Sequence, residues 1–243
     1  MESEKSFCLP LMSIDEERNQ LWSCFATATF AYVRDSFFLV SPAHALVRVN
    51  QKPVYVAIDE PITLAGHEVI KNEAMDIAAI KLSNSTIDKI KDLVLFVTPE
   101  FVYNYPPGKS EQRSEVLGFP SSRNTMKTRK HRIGKKGLRY TANDISESFF
   151  PDDKYRKELH FALEYDEKKL LDDDLNSTQP REMIGVSGGL ISEFIWNDAH
   201  NSCRIQGILL GSKKAKKALI GLRYEYILAW IEEHFDAFPE APH

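Results

Sequence analysis

The sequence contains few cysteines and no long apolar run. Its 243 residues include three cysteines, Cys8, Cys24 and Cys203, which are widely spaced and odd in number. No Cys-x-x-Cys pair is present, so the usual pattern of a zinc site or a dithiol redox centre is lacking. No stretch approaches the roughly 20 apolar residues that span a bilayer, and residues 1–5 do not resemble a signal peptide. We therefore expect a cytoplasmic protein with no membrane partner.

A strong charge excess is also lacking. The net charge of −4 does not favour general binding to nucleic acid. Residues 127–139 hold seven Lys or Arg, but no aromatic residue interleaves them, which indicates a solvated loop rather than a nucleic-acid site. The acidic residues 172–174 lack the alternating ligands and central glycine of a calcium loop, and no His-Glu-x-x-His occurs. The sequence therefore predicts no metal and no cofactor.

Residues 184–190, Ile-Gly-Val-Ser-Gly-Gly-Leu, place a serine among glycines. A catalytic serine needs a base to take its proton and donors to hold the oxyanion that forms. Because glycine tolerates positive φ, this stretch could turn sharply and aim the amides of Gly185 and Ser187 at one point. An ordinary tight turn has the same pattern, so a catalytic interpretation requires partners for Ser187.

Two upstream segments supply such partners. Residues 36–46, Ser-Phe-Phe-Leu-Val-Ser-Pro-Ala-His-Ala-Leu, read as a buried strand that runs into a small-residue turn containing His44. Residues 74–82 place Asp76 just ahead of an apolar run with strand character. Thirty-two residues separate His44 from Asp76 and 111 separate Asp76 from Ser187, so the serine falls in the other half of the chain.

The three segments resemble the motifs of the trypsin/chymotrypsin-like serine proteases, which carry Ala-Ala-His, Asp-Ile-Ala and Gly-x-Ser-Gly-Gly in this order. Residues 115–120, Glu-Val-Leu-Gly-Phe-Pro, are similar to the segment that opens the second barrel in bacterial members. The resemblance implies an all-β fold of two antiparallel six-stranded β-barrels with a C-terminal α-helix. It places an N-terminal lobe at 1–105, a C-terminal lobe at 106–222, and the helix and tail at 223–243.

The resemblance also implies a serine endopeptidase that acts on a peptide or protein substrate. Its catalytic residues would be His44 as base, Asp76 as the group that orients the imidazole, and Ser187 as nucleophile. The amides of Gly185 and Ser187 would form the oxyanion hole. An acyl-enzyme intermediate would then be released by water.

Two further residues bear on specificity and activation. Arg181 lies six residues before Ser187, where trypsin-like enzymes place the base of the pocket for the side chain that precedes the cleaved bond. A cation there would favour acidic side chains, although a register shift in residues 176–180 would leave Arg181 in a solvated loop. Val186 stands where zymogens of this family have an aspartate, and an apolar side chain cannot accept a new amino terminus. We therefore expect no N-terminal cleavage, with the oxyanion loop ordered by packing of Ile184, Val186 and Leu190, or by a partner or substrate.

Two other classes of protein share parts of this pattern. Gly-x-Ser-x-Gly also fits the nucleophile elbow of α/β-hydrolases, but only 56 residues follow Ser187, too few for the acid and histidine of that fold. An inert or partner-activated peptide-binding module stays open. Residues 26–28, Ala-Thr-Ala, and Val186 depart from the family pattern, and an unformed oxyanion hole would leave the catalytic residues inactive.

The remaining pattern predicts the secondary structure around these motifs. Strands are expected at 6–13, 21–32, 54–58, 62–64, 94–103, 160–165, 190–196 and 204–211. A short helix or turn is expected at 86–92, the crossing between lobes at 105–110, and the C-terminal helix over 220–235.

Overall fold

The computed structural model describes twelve stretches of the chain. These are residues 5–15, 21–46, 54–58, 61–103, 113–121, 124–127, 137–143, 155–172, 176–177, 183, 185–196 and 201–238. The crossing predicted at 105–110 lies outside the described residues.

Within these stretches the protein is mostly β, with four short α-helices. The strands are β1 (Cys8–Asp15), β2 (Leu21–Val33), β3 (Ser36–Ser41), β4 (Val54–Val56), β5 (Ile62–Thr63), β6 (Ile70–Asn72), β7 (Ile77–Lys81), β8 (Arg113–Gly118), β9 (Thr125–Lys127), β10 (Leu138–Ala142), β11 (His160–Glu164), β12 (Leu170–Asp172), β13 (Leu190–Trp196), β14 (Asn201–Lys213) and β15 (Ala218–Arg223). The helices are α1 (Ala43–Leu46), α2 (Asn84–Ile90), α3 (Pro99–Tyr103) and α4 (Tyr224–Glu233), with 3₁₀ turns at Glu167–Lys169, Lys214–Lys216 and Phe235–Ala237.

The strands form two curled antiparallel sheets. The first has the order β5-β4-β1-β2-β3-β7-β6, and β9 pairs with the first three residues of β2. The second has the order β11-β15-β14-β13-β8-β10-β12. Two curled half-barrels with a C-terminal helix confirm the predicted all-β, two-barrel fold class. In the described part of the chain the sheets contain eight and seven strands rather than the predicted six each, because short strands such as β5, β6, β9 and β12 extend them.

Alternate residues of the same strands line two different cores. In β3, Leu39 faces the interior of the first half-barrel, whereas Phe38 and Val40 face the second lobe. Successive side chains of a strand point to opposite faces, so a strand that is apolar at every position is buried on both sides. The second half-barrel has its own interior core around Tyr140 and Leu163.

The core between the lobes is continuous and is closed by α4. It joins Phe38 of the first sheet to Ile208 and Leu222 of the second sheet and to Trp230 of α4. Helix α4 buries five residues, namely Tyr224, Ile227, Leu228, Trp230 and Ile231. None of the helices in the described part of the chain is long and apolar enough to cross a membrane.

Two expected elements differ from the structure. The strand predicted over 94–103 is wrong. Residues 94–97 make isolated bridges, and Pro99–Tyr103 form α3, which proline can begin because the first helical position needs no amide donor. The helix predicted from residue 220 begins instead at Tyr224. Ile220 and Leu222 belong to β15, where they pair with both β11 and β14.

Candidate active site

His44 is presented by a short turn whose other side chains are buried. Strand β3 ends at Ser41, and the helical turn α1 follows directly. Ala43, Ala45 and Leu46 of this turn are buried, whereas the His44 side chain is 51% exposed. Burial of the three apolar residues therefore fixes the turn and leaves the imidazole at the surface.

Asp76 holds both the side chain and the backbone of His44. Its Oδ2 lies 2.8 Å from His44 Nδ1, and its Oδ1 accepts a hydrogen bond of 3.1 Å from the His44 amide. The Asp76 backbone has a φ of 52°, a left-handed conformation that aspartate tolerates better than most residues. Because an ionised carboxylate only accepts hydrogen bonds, this contact favours the neutral tautomer in which Nδ1 carries the proton and Nε2 is an acceptor.

The glycine-flanked serine lies in a tight turn that joins the second sheet. Gly185 and Gly188 have φ values of 93° and 87°, so both positions need glycine. The Val186 amide donates to the Met183 carbonyl at 3.2 Å and the Gly189 amide to the Val186 carbonyl at 2.8 Å. The Gly188 amide donates to a carbonyl of β14 at 2.6 Å. Three of the five amides of residues 185–189 are thus committed.

The amides of Gly185 and Ser187 are the other two. Among the residues that the structure describes, neither amide donates a hydrogen bond. Two unengaged backbone donors two residues apart in one turn are what an oxyanion-binding site requires. Val186, between them, is fully buried against Gly118.

The serine turn contacts the turn that carries His44. The Ser187 carbonyl accepts a hydrogen bond of 2.8 Å from the Thr27 amide in β2. Gly188 packs so closely against Thr27, Ser41 and Pro42 that an added Cβ would overlap the Thr27 carbonyl oxygen. The structure therefore brings Ser187 to the lobe that holds His44 and Asp76. No hydrogen bond joins Ser187 Oγ to His44 among the described side chains.

A cleft of about 490 Å³ opens beside the imidazole and the carboxylate. It is lined by His44, Glu73, Ala74, Met75, Asp76, Tyr155 and His160. The last two residues come from the second lobe and were not predicted, because only the tertiary fold brings the start of β11 next to Asp76. The His160 ring is buried, and burial lowers the pKa of its imidazole.

Two residues of the predicted site, Arg181 and Ile184, lie outside the described residues, so the proposed specificity of Arg181 stays a prediction. In the described part of the chain, no three His, Cys, Asp or Glu side chains converge into a metal-binding group.

The two curled antiparallel sheets, with the site at their junction, fit the trypsin-like two-barrel fold. The sequence matches no protein-family model and no curated protein. Among solved structures, the chain is similar to one from a study of the coupled folding and binding of the intrinsically disordered VPg protein of Sesbania mosaic virus. The two chains share 11% sequence identity, with a TM-score of 0.50 over 93% of this chain and 95% of that chain. At this identity the similarity concerns the fold alone.

Proposed function

We propose that the protein is a serine endopeptidase that uses His44, Asp76 and Ser187. The observation that carries the proposal is the pairing of a carboxylate–imidazole hydrogen bond of 2.8 Å with a serine turn that leaves two amides unengaged by the described residues. The carboxylate–imidazole hydrogen bond and the serine turn each also occur, when alone, in proteins where they have no catalytic role. Their meeting at the junction of two lobes supports nucleophilic catalysis.

In the proposed reaction, Ser187 Oγ attacks the carbonyl carbon of a peptide bond while His44 Nε2 takes its proton. The amides of Gly185 and Ser187 stabilise the negative charge on the carbonyl oxygen. His44 then returns the proton to the leaving amine, and the carbon–nitrogen bond breaks. A water molecule then attacks the acyl carbon while His44 takes its proton, and His44 returns that proton to Ser187 Oγ as the ester bond breaks and the second product leaves. Asp76 keeps Nδ1 protonated and stabilises the imidazolium in both steps.

The partner proposed for this site is a peptide or protein substrate in the cytoplasm. All three cysteines are free thiols, which suits a reducing compartment. The full burial of Val186 supports an oxyanion turn that is ordered without N-terminal cleavage. The chemistry of this site gives no reason to invoke a nucleic acid.

A second candidate is a peptide-binding module that is inert until a partner activates it. This candidate is favoured by the lack of a hydrogen bond between Ser187 Oγ and His44 in the described part of the chain. Catalytic hydrogen bonds often tighten only when substrate binds, so the same observation also suits an unliganded enzyme.

A fluorophosphonate probe tests the proposal, because it reacts only with a serine that a neighbouring base activates. We expect labelling of the wild type and of the control Ser85→Ala, an exposed serine of α2. We expect no labelling of Ser187→Ala and almost none of His44→Ala. For peptide hydrolysis, combining the two changes should cost little more than either alone, because the residues act as a unit. Labelling that is absent in the wild type, or equal in Ser187→Ala, would refute the proposal.

A further inference from the structure

Thr27 of β2 makes three hydrogen bonds to the second lobe at the serine turn. Its hydroxyl donates to the Gly185 carbonyl at 2.8 Å and accepts from the Phe119 amide at 3.0 Å. Its amide donates to the Ser187 carbonyl at 2.8 Å, and its carbonyl accepts from the Ser41 hydroxyl at 2.9 Å. Thr27 is fully buried, so water does not compete for these hydrogen bonds.

These contacts fix the peptide groups on either side of the Ser187 amide. A peptide group is planar, so a held carbonyl also sets the direction of the amide bonded to it. The hydroxyl of Thr27 holds the plane that joins Gly185 to Val186, and its amide holds the plane that joins Ser187 to Gly188. The Ser187 amide lies between these two planes, so its direction depends on both.

The residue before the serine makes no ionic contribution to this arrangement. Val186 is fully buried and apolar, and it packs on Gly118 of the second sheet. The Thr27 hydroxyl is therefore a polar side-chain group that reaches the turn from the opposite lobe. Removing it would leave the Phe119 amide and the Gly185 carbonyl buried without this partner, which is costly.

We propose that Thr27 is a positioning residue that sets the donor geometry of the oxyanion turn from across the lobe boundary. This inference rests on the proposed function and extends it. The same residue links the nucleophile to the base, because Ser41, which bonds to the Thr27 carbonyl, begins the segment that leads to His44. A purely structural Thr27 would instead stabilise the fold without affecting the turn in particular.

The test compares Thr27→Val with Thr27→Ser and with Thr29→Val. Valine keeps the shape of threonine and removes the hydroxyl, whereas serine keeps the hydroxyl. Thr29 lies two residues along the same strand and is equally buried, but its hydroxyl faces Val40 and Tyr224 rather than the serine turn. Thr29→Val thus makes the same chemical change without touching the turn.

Two readouts are measured on the folded full-length chain. The first is hydrogen exchange at the Val186, Gly188 and Gly189 amides, which are hydrogen-bonded in this structure. We expect Thr27→Val to speed this exchange by about tenfold or more relative to Thr29→Val. The second readout is the steady-state kinetics of peptide hydrolysis. We expect about a 10- to 100-fold fall in kcat for Thr27→Val with KM nearly unchanged, because the loss concerns the transition state. Thr27→Ser, which keeps the hydroxyl, should retain most of the wild-type protection from exchange and most of the wild-type kcat.

The outcomes separate the inference from the function on which it rests. If the wild type fails to react with the fluorophosphonate probe, the proposed function fails, and the inference falls with it in its catalytic form. If the wild type reacts but Thr27→Val reacts equally fast, Thr27 is not a positioning residue although the enzyme stands. Equal exchange in Thr27→Val and Thr29→Val would overturn the inference whether or not the chain is a protease.

Discussion

At the scale of single residues, Asp76 has a larger part than its motif indicates. Its place ahead of an apolar run predicts a carboxylate near a strand end, and the resemblance to proteases assigns it to the imidazole. Its second contact, from Oδ1 to the His44 amide at 3.1 Å, follows from a left-handed backbone conformation that no sequence pattern here announces. One carboxylate thus orients both the ring and the turn that carries it.

Asp76→Asn should greatly reduce peptide hydrolysis while preserving the fold. Asparagine tolerates the same backbone conformation and keeps one acceptor oxygen, but its amide group favours the wrong imidazole tautomer. If the proposed function holds, we expect kcat to fall by about 10⁴-fold, which is less than for loss of the nucleophile and is the usual size of this change in Ser-His-Asp triads. Steady-state kinetics and thermal unfolding measure the two effects. The control Asp88→Asn, on the exposed face of α2, should change neither, and a large loss of stability in Asp76→Asn would contradict the prediction.

We expect His160 to make the stability of the protein depend on pH, because its pKa is shifted in the folded chain. Burial lowers the pKa of this imidazole, and the charge of Arg156 and that of Arg223 act in the same direction, against a hydrogen bond to the Arg156 backbone and the charge of Asp76. The unfolded chain therefore binds more protons than the folded chain as the pH falls through the ordinary histidine pKa of about 6.5. The contribution of His160 to the free energy of unfolding should therefore increase as the pH rises through about 6.5. This contribution should be lost as the pH falls below the lowered pKa of the folded chain.

Urea unfolding at a series of pH values between about 5 and 7.5 checks this expectation. His160→Asn removes the titrating group while an amide oxygen can still accept from the Arg156 backbone, 3.1 Å from Nδ1 in this structure. The slope of the unfolding free energy against pH should be shallower in this variant. Equal slopes in the variant and the wild type would show that His160 does not contribute.

At the scale of elements, the sequence predicts strands well and their partners poorly. The alternation and apolar runs of β2, β13 and β14 locate those strands within a few residues. The apolar segment at 94–97 instead makes isolated bridges to Ser6 and Ala31 before α3 begins. A short apolar run has the same sequence pattern whether it forms a strand or a segment with isolated bridges. Only its contacts in the folded protein decide which of the two it forms.

The serine turn gives a sharp test at this scale through Gly188. Its φ of 87° is unfavourable for other residues, and an added Cβ would overlap the Thr27 carbonyl oxygen. Gly188→Ala should therefore displace the turn from β2, lower the unfolding free energy by roughly 2–4 kcal/mol and abolish probe labelling. Thermal unfolding and labelling measure the two effects.

Gly211→Ala is the matched control, because an added Cβ at Gly211 meets no atom within 4 Å. This variant should unfold and label like the wild type. Retained labelling in Gly188→Ala would mean that the close packing of the serine turn on β2 is not needed for activity.

At the scale of the whole molecule, two lobes can be predicted from the spacing of the motifs, but their shared core cannot. Four consecutive residues are apolar in each of β3 and β7, at 37–40 and 77–80, so the pattern indicates burial on both faces of the strand but not what covers each face. The structure resolves this ambiguity, because one face of each strand packs inside the first half-barrel and the other joins the core closed by α4. The candidate site lies at this junction, so its geometry depends on the two lobes staying together.

Trp230 tests whether the lobes unfold as one unit. It lies in α4, is 5% exposed, and belongs to the core that both sheets share. Trp230→Ala should cost about 3–5 kcal/mol, the usual range for truncating a buried tryptophan. Because the core is continuous, amide exchange in β3 and in β15 should report the same loss, although β3 lies in the other lobe.

The control is Glu232→Ala, on the exposed side of the same helix. It should change the stability reported by amide exchange in β3 and in β15 by less than about 0.5 kcal/mol. A loss confined to β15 would mean that the two lobes unfold independently of one another.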